Sequence, residues 1–105
     1  MQDWQPTTLE DVKRYLEEGL AKLHPNHRMC FESIRVEEGQ VPVDDAPGEY
    51  VYVVAQVGER LLYWSDVEDG WELDALSPSG GIATRGCNQF ELSHVMHQVF
   101  GNPDH

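Results

Sequence analysis

His94 and His97 stand three residues apart in HVMH, with Glu91 one turn earlier. On a helix this spacing brings two imidazoles and a carboxylate to one side, the donor types a metal ion takes. A zinc helix of the HExxH kind has its histidines four apart with a glutamate between them, and that pattern is missing. A small metal-dependent enzyme using His94, His97 and Glu91 is therefore the less favoured reading. His24 and His27, in HPNH, read as turn residues after a helix C-terminus, where partial positive charge is welcome. Cys87 precedes a helix whose N-terminus would lower its pKa, but the nearest base, His94, lies almost two turns further on. The sequence has no CxxC, no GxSxG and no P-loop lysine, and Gly80-Gly81 follows no strand-to-helix phosphate pattern. These residues predict a non-catalytic protein with no cofactor and no bound metal.

Binding chemistry is better represented. The stretch Leu61–Asp74, LLYWSDVEDGWELD, mixes Tyr63, Trp64 and Trp71 with Asp66, Glu68, Asp69, Glu72 and Asp74. Rings favour burial and ionised carboxylates favour water, so the two sets must be separated by the fold. The net charge is −12, and it is unevenly spread. Residues 1–35 hold six acids and five bases, whereas residues 36–105 hold thirteen acids against Arg60 and Arg85 alone. Such a field repels nucleic acid and anionic membranes and draws in cationic partners.

The elements that position these groups follow from periodicity. PTTLEDVKRYLEEGLAKLHP reads as a helix capped by Thr7 or Thr8, with an apolar stripe of Leu9, Val12, Leu16, Leu20 and Leu23, stopped by Pro25. RMCFESIRV (28–36) is expected as a strand and EEGQVPVDDAPGE (37–49) as an acidic surface loop. Gly58-Glu59 suits a two-residue hairpin turn, and Asp66–Asp69 a four-residue loop. Those turns set Val53 against Trp64, Ala55 against Leu62, Val51 against Asp66, Trp64 against Trp71 and Leu62 against Leu73. One sheet face then carries Val51, Val53, Ala55, Val57, Leu62, Trp64, Trp71 and Leu73. The other carries Tyr50, Tyr52, Val54, Gln56, Leu61, Tyr63, Glu72 and Asp74, because side chains alternate. SPSGG (77–81) reads as a loop, GIATRG as a possible edge strand. Asn88 and Glu91 form a capping box for a last helix, in NQFELSHVMHQVFG.

The expected fold is a two-layer α+β domain over residues 1–105, an antiparallel meander of four or five strands in the order α-β-β-β-β-α. Both helices cover the Trp64/Trp71 face. No apolar run reaches the roughly 20 residues of a membrane span. No secretory signal is visible, so the protein is expected in the cytoplasm, with Cys30 and Cys87 as free thiols.

On this outline Tyr50, Tyr52 and Tyr63 lie with Glu72 and Asp74 on a face left to solvent. Asp66, Glu68 and Asp69 stand at the loop tip beside them, and Asp44 and Asp45 widen the negative rim. Tyrosines suit extended backbone and need no ligand there, but with so acidic a surround the face reads as a docking surface for a basic protein. In length, charge, α/β outline and the hairpin YWSDVEDGWEL, the chain resembles the small acidic immunity proteins of bacterial polymorphic-toxin and contact-dependent inhibition systems. The resemblance implies an inhibitor that plugs a basic toxin domain, often a nuclease, with acids standing where substrate phosphates bind. An adaptor or subunit using the same face is the alternative.

Overall fold

A computed structural model describes residues 7–66, 69–86 and 88–103. Helix α1 (Leu9–Ala21) is followed by α2 (Pro25–Ile34), strands β1 (Arg35–Pro42), β2 (Tyr50–Val57), β3 (Arg60–Ser65) and β4 (Gly70–Ala75), and α3 (Leu92–Phe100). The four strands form one antiparallel meander in sequence order. This is the expected α+β class, with one helix more than expected.

Thr8 caps α1 as its sequence implies, its Oγ1 accepting from the Asp11 N–H at 3.2 Å. Pro25 ends nothing; it opens α2. Its fixed φ and missing N–H suit the first turn of a helix, and His24 serves as the cap, its Nδ1 accepting from the Asn26 N–H at 3.1 Å. Residues 28–34 are thus helix where a strand was expected. The buried pair His27 and Phe31, one turn apart, is the signal that favours helix. His27 Nε2 donates to the Gly101 carbonyl at 2.8 Å, and its ring meets His97 edge-on at 4.8 Å, tying α2 to α3. The strand forms instead over Arg35–Pro42, keeping Arg35 and Val36 of the expected strand and running on into the expected loop.

Both hairpins begin as their turns dictate. Gly58 has φ +59°, Val57 pairs with Arg60, and Ala55 with Leu62. Trp64 pairs with Trp71 and Leu62 with Leu73. One residue later the expected register fails. Val53 pairs with Tyr63 rather than Trp64, so Val54 is an extra residue in β2, a bulge. Val54 and Ala55 both join the core beneath the helices, and every β2 residue before them changes face.

Val51 and Val53 therefore meet Leu61, Tyr63, Val43 and Ile82 in a second apolar cluster on the sheet's far side. That face was expected to be open to water. It is covered by the 43–49 turn and by Ile82 and Gly86 of the segment after β4, tied together by a parallel bridge between Val43 and Ile82. The Ile82 N–H donates to Pro42 O at 3.1 Å, and the Asp44 N–H to Ile82 O at 2.9 Å. GIATRG supplies this bridge and no further strand. The main core, with Val12, Leu16, Leu20, Phe31, Leu62, Trp64, Trp71, Leu92, Val95 and Met96, lies under the helices as expected. No helix among the described residues is long and apolar enough to cross a membrane.

Ile82 sits in an irregular segment yet is fully buried. Ile82→Ala should cost about 2–4 kcal/mol in urea unfolding, the range for a core cavity; a mere surface loop would lose under about 0.5 kcal/mol.

Candidate functional site

The residues singled out from the sequence are divided by the fold into three environments. Tyr63, Glu72 and Asp74 are together on the far face as expected, but beneath protein. Tyr63 is 0% exposed and Glu72 1%. The Tyr63 hydroxyl donates to Asp74 Oδ2 and accepts from the Gly86 N–H at 2.7 Å. Glu72 accepts from the Asn88 N–H at 2.7 Å, from Asn88 Nδ2 at 3.0 Å and from the Gln89 N–H at 3.2 Å. Ser65 Oγ donates to Gly86 O at 2.7 Å. A Cβ at position 86 would collide with Glu72 Oε1 and stand 2.7 and 2.9 Å from its Cδ and Cγ, so glycine lets the segment close over the hydrogen-bonded carboxylate. These side chains anchor Gly86, Asn88 and Gln89 to the sheet. They do not form a free docking surface.

This anchoring also explains where α3 starts. Asn88 is spent on Glu72, and Gln89 has φ +55°, outside the helical region. Phe90 pairs with β4, the Trp71 N–H donating to its carbonyl at 2.9 Å. The helix cap therefore falls on Glu91 and not Asn88, with a box closed by His94, whose Nδ1 accepts from the Glu91 N–H at 3.3 Å. His94 and His97 thus serve a cap and the α2 contact, respectively. The described residues contain no group of three or more His, Cys, Asp or Glu side chains able to hold a metal. Cys30 is a free thiol; Cys87 and Glu68 lie outside the described residues.

Tyr50 and Tyr52 form the second environment. The bulge moves Tyr52 to the helix side, where it packs against the main core. It meets Tyr50 edge-on at 5.6 Å and accepts from Gln40 Nε2 at 3.0 Å. Both rings are half-buried and separated from Tyr63 by the sheet.

The third environment is charged. Asp66 was expected at an open loop tip, but its side chain is only 7% exposed and pairs with Arg85 Nε at 3.0 Å. Arg85 reaches Glu49 with Nη2 at 2.7 Å and is itself 10% exposed. Asp44 and Asp45 do project from the 43–49 turn, and Asp44 accepts from Ser79 Oγ at 2.5 Å. Asp69 is exposed as well.

Asp69 borders a feature that sequence reasoning did not find. Between α1, the start of β4 and the approach to α3 lies a cleft of about 420 Å³. Its aromatic lining comes from Tyr15, Trp64, Trp71 and Phe90. Tyr15 stacks on Trp64 with centroids 4.3 Å apart, and Trp64 meets Trp71 edge-on at 5.1 Å. The two tryptophans are core residues, as expected, yet they also line this opening. Glu18 and Glu91 join Asp69 as its carboxylates, opposed by Lys22. The sequence signal was Tyr15, an aromatic one residue off the leucine stripe of α1. Its stacking partner is 49 positions away, beyond any local pattern.

No family model matches this chain, and neither does any curated protein or solved structure. The site is therefore read from its geometry.

Burial, and then the hydrogen bond to Asp74, hold the Tyr63 phenol well above its ordinary value of 10. The unfolded chain ionises at the ordinary value, so this contribution is complete below pH 10 and is lost as the pH rises beyond it. Tyr63→Phe should lower stability at pH 7 by about 1–3 kcal/mol, because Gly86 N–H and Asp74 lose their partner. The variant should also show a shallower fall in unfolding free energy above pH 10 than the parent, measured by urea titration at a series of pH values.

Proposed function

We propose that the protein is a non-catalytic, immunity-type inhibitor that binds and neutralises a basic toxin domain, such as a nuclease, in the bacterial cytoplasm. The observation that carries this reading is the fate of Arg85. Residues 36–105 contain two cationic side chains against thirteen acids, and one of the two is taken inward between Glu49 and Asp66. Within residues 36–105 Arg60 alone is left to offset the outward field, and Arg35 at the start of β1 is paired with Glu32 and Glu38.

Asp44, Asp45, Glu59, Asp69 and Glu91 all stand exposed around this layer. Fixed carboxylates of one sign steer a cationic partner and exclude acidic ones. The groups weighed for metal chemistry have other duties: His94 and Glu91 close a helix cap, and His97 packs on His27. That use of titratable side chains supports a binding role.

A domain of basic charge encoded beside this protein should be bound with nanomolar affinity by calorimetry. Raising sodium chloride from 50 to 300 mM should weaken the complex roughly tenfold or more, because exposed charges are screened. Asp44→Asn with Asp45→Asn should slow association and leave dissociation nearly unchanged. Association that ignores salt would fit an adaptor instead, and no binding at all would end the inhibitor reading.

A further inference from the structure

Resting on the reading of a basic protein partner, we infer that the cleft between Tyr15, Trp71 and Phe90 receives an arginine side chain of that partner, carried on an extended segment. Three features of the cleft select this occupant.

The first is charge. Glu18, Asp69 and Glu91 outnumber Lys22 around the opening, so the local field has the sign of the whole surface. The second is shape and polarity. Phe90 and Tyr15 are the half-buried rings of the lining, Trp64 and Trp71 being nearly fully buried. A guanidinium stacks on rings while its fork bonds carboxylates, as the chain's own Arg14 does 5.2 Å over Tyr15. An ammonium is a more strongly hydrated point charge and gives up more on entering an aromatic cleft. A volume of about 420 Å³ falls within the roughly 300–1,000 Å³ of small-ligand pockets, enough for one long side chain with the backbone around it.

The third feature points to a peptide and not a free cation. Trp64 is 9% exposed, and its Nε1 has no hydrogen-bond acceptor among the described residues. A buried donor left in that state costs free energy. Arginine carries donors only; the carbonyls beside it in a peptide are acceptors. The indole Nε1 is closed to solvent in this state, so a segment that delivers both the guanidinium and a carbonyl satisfies the carboxylates directly and the indole through a side-chain shift that opens its N–H edge.

The test is a chemical-shift titration of the whole protein with acetyl-Gly-Arg-Gly-amide, beside the same peptide carrying lysine or neutral citrulline, and with methylguanidinium. The arginyl peptide should move the resonances of Trp64, including its indole N–H, together with those of Trp71 and Phe90. The lysyl peptide should bind about fivefold more weakly, and citrulline more weakly still. Glu18→Gln with Asp69→Asn changes two exposed side chains, so the thermal midpoint should hold while arginyl affinity falls about fivefold. Equal binding of the citrulline peptide, or of methylguanidinium alone, overturns the assignment. Shifts scattered over the acidic surface and absent from the cleft overturn it too, while leaving a basic partner elsewhere on the protein intact. Failure of the neighbouring basic domain to bind sinks the inhibitor reading instead, and is measured separately.

Discussion

A buried carboxylate must be satisfied completely or the fold loses several kcal/mol to desolvation. Glu72 meets that condition with three donors, all from Asn88 and Gln89. Much of the architecture follows from this one requirement. Closing Gly86, Asn88 and Gln89 over Glu72 needs glycine at 86 and a non-helical turn at Gln89. That turn delivers Phe90 to the edge of β4 and delays α3 until Leu92. The delay leaves space between α3, α1 and the Trp64–Trp71 pair, and that space is the cleft.

The same closure gives the sheet two covered faces. A four-stranded meander with helices on one side normally leaves its other side wet, and its strands then alternate apolar and polar. Here β3 reads Leu61, Leu62, Tyr63, Trp64, with every one of these side chains buried. The bulge at Val54 is what makes the second cover worth having, because it turns Val51 and Val53 toward Tyr63 and Ile82. Polar anchors and a small apolar cluster act together: the cluster gains from excluding water, and the anchors fix which segment excludes it.

Acidity is divided by the same fold into two kinds. The Asp66 side chain and Glu72 are internal and Asp74 is half-buried, each with a named partner in the chain. Asp44, Asp45 and Asp69 remain outside. Counting carboxylates in a sequence therefore overstates the charge available to a partner, and the exposed set lies on both sides of the sheet. Asp44 and Asp45 belong to the cover of the Tyr63 face, whereas Asp69 belongs to the cleft beneath the helices.

Local order was legible wherever neighbouring residues decide it. The α1 stripe with its Thr8 cap, the Gly58 turn and the Trp64–Trp71 pairing all follow from contacts within a few residues or across one tight turn. Pro25 was legible too, but points forward to α2 and not back to α1. The alternation of side chains set Tyr63, Glu72 and Asp74 on one face, and that grouping holds. Whether a face is wet is another matter, because it depends on segments from other parts of the chain, such as Gly86, 23 residues from Tyr63. The extra residue in β2, the cover built from Ile82 and Gly86, and the stacking of Tyr15 on Trp64 arise only when distant stretches meet, since alternation assigns a side to each residue but says nothing about what lies on that side.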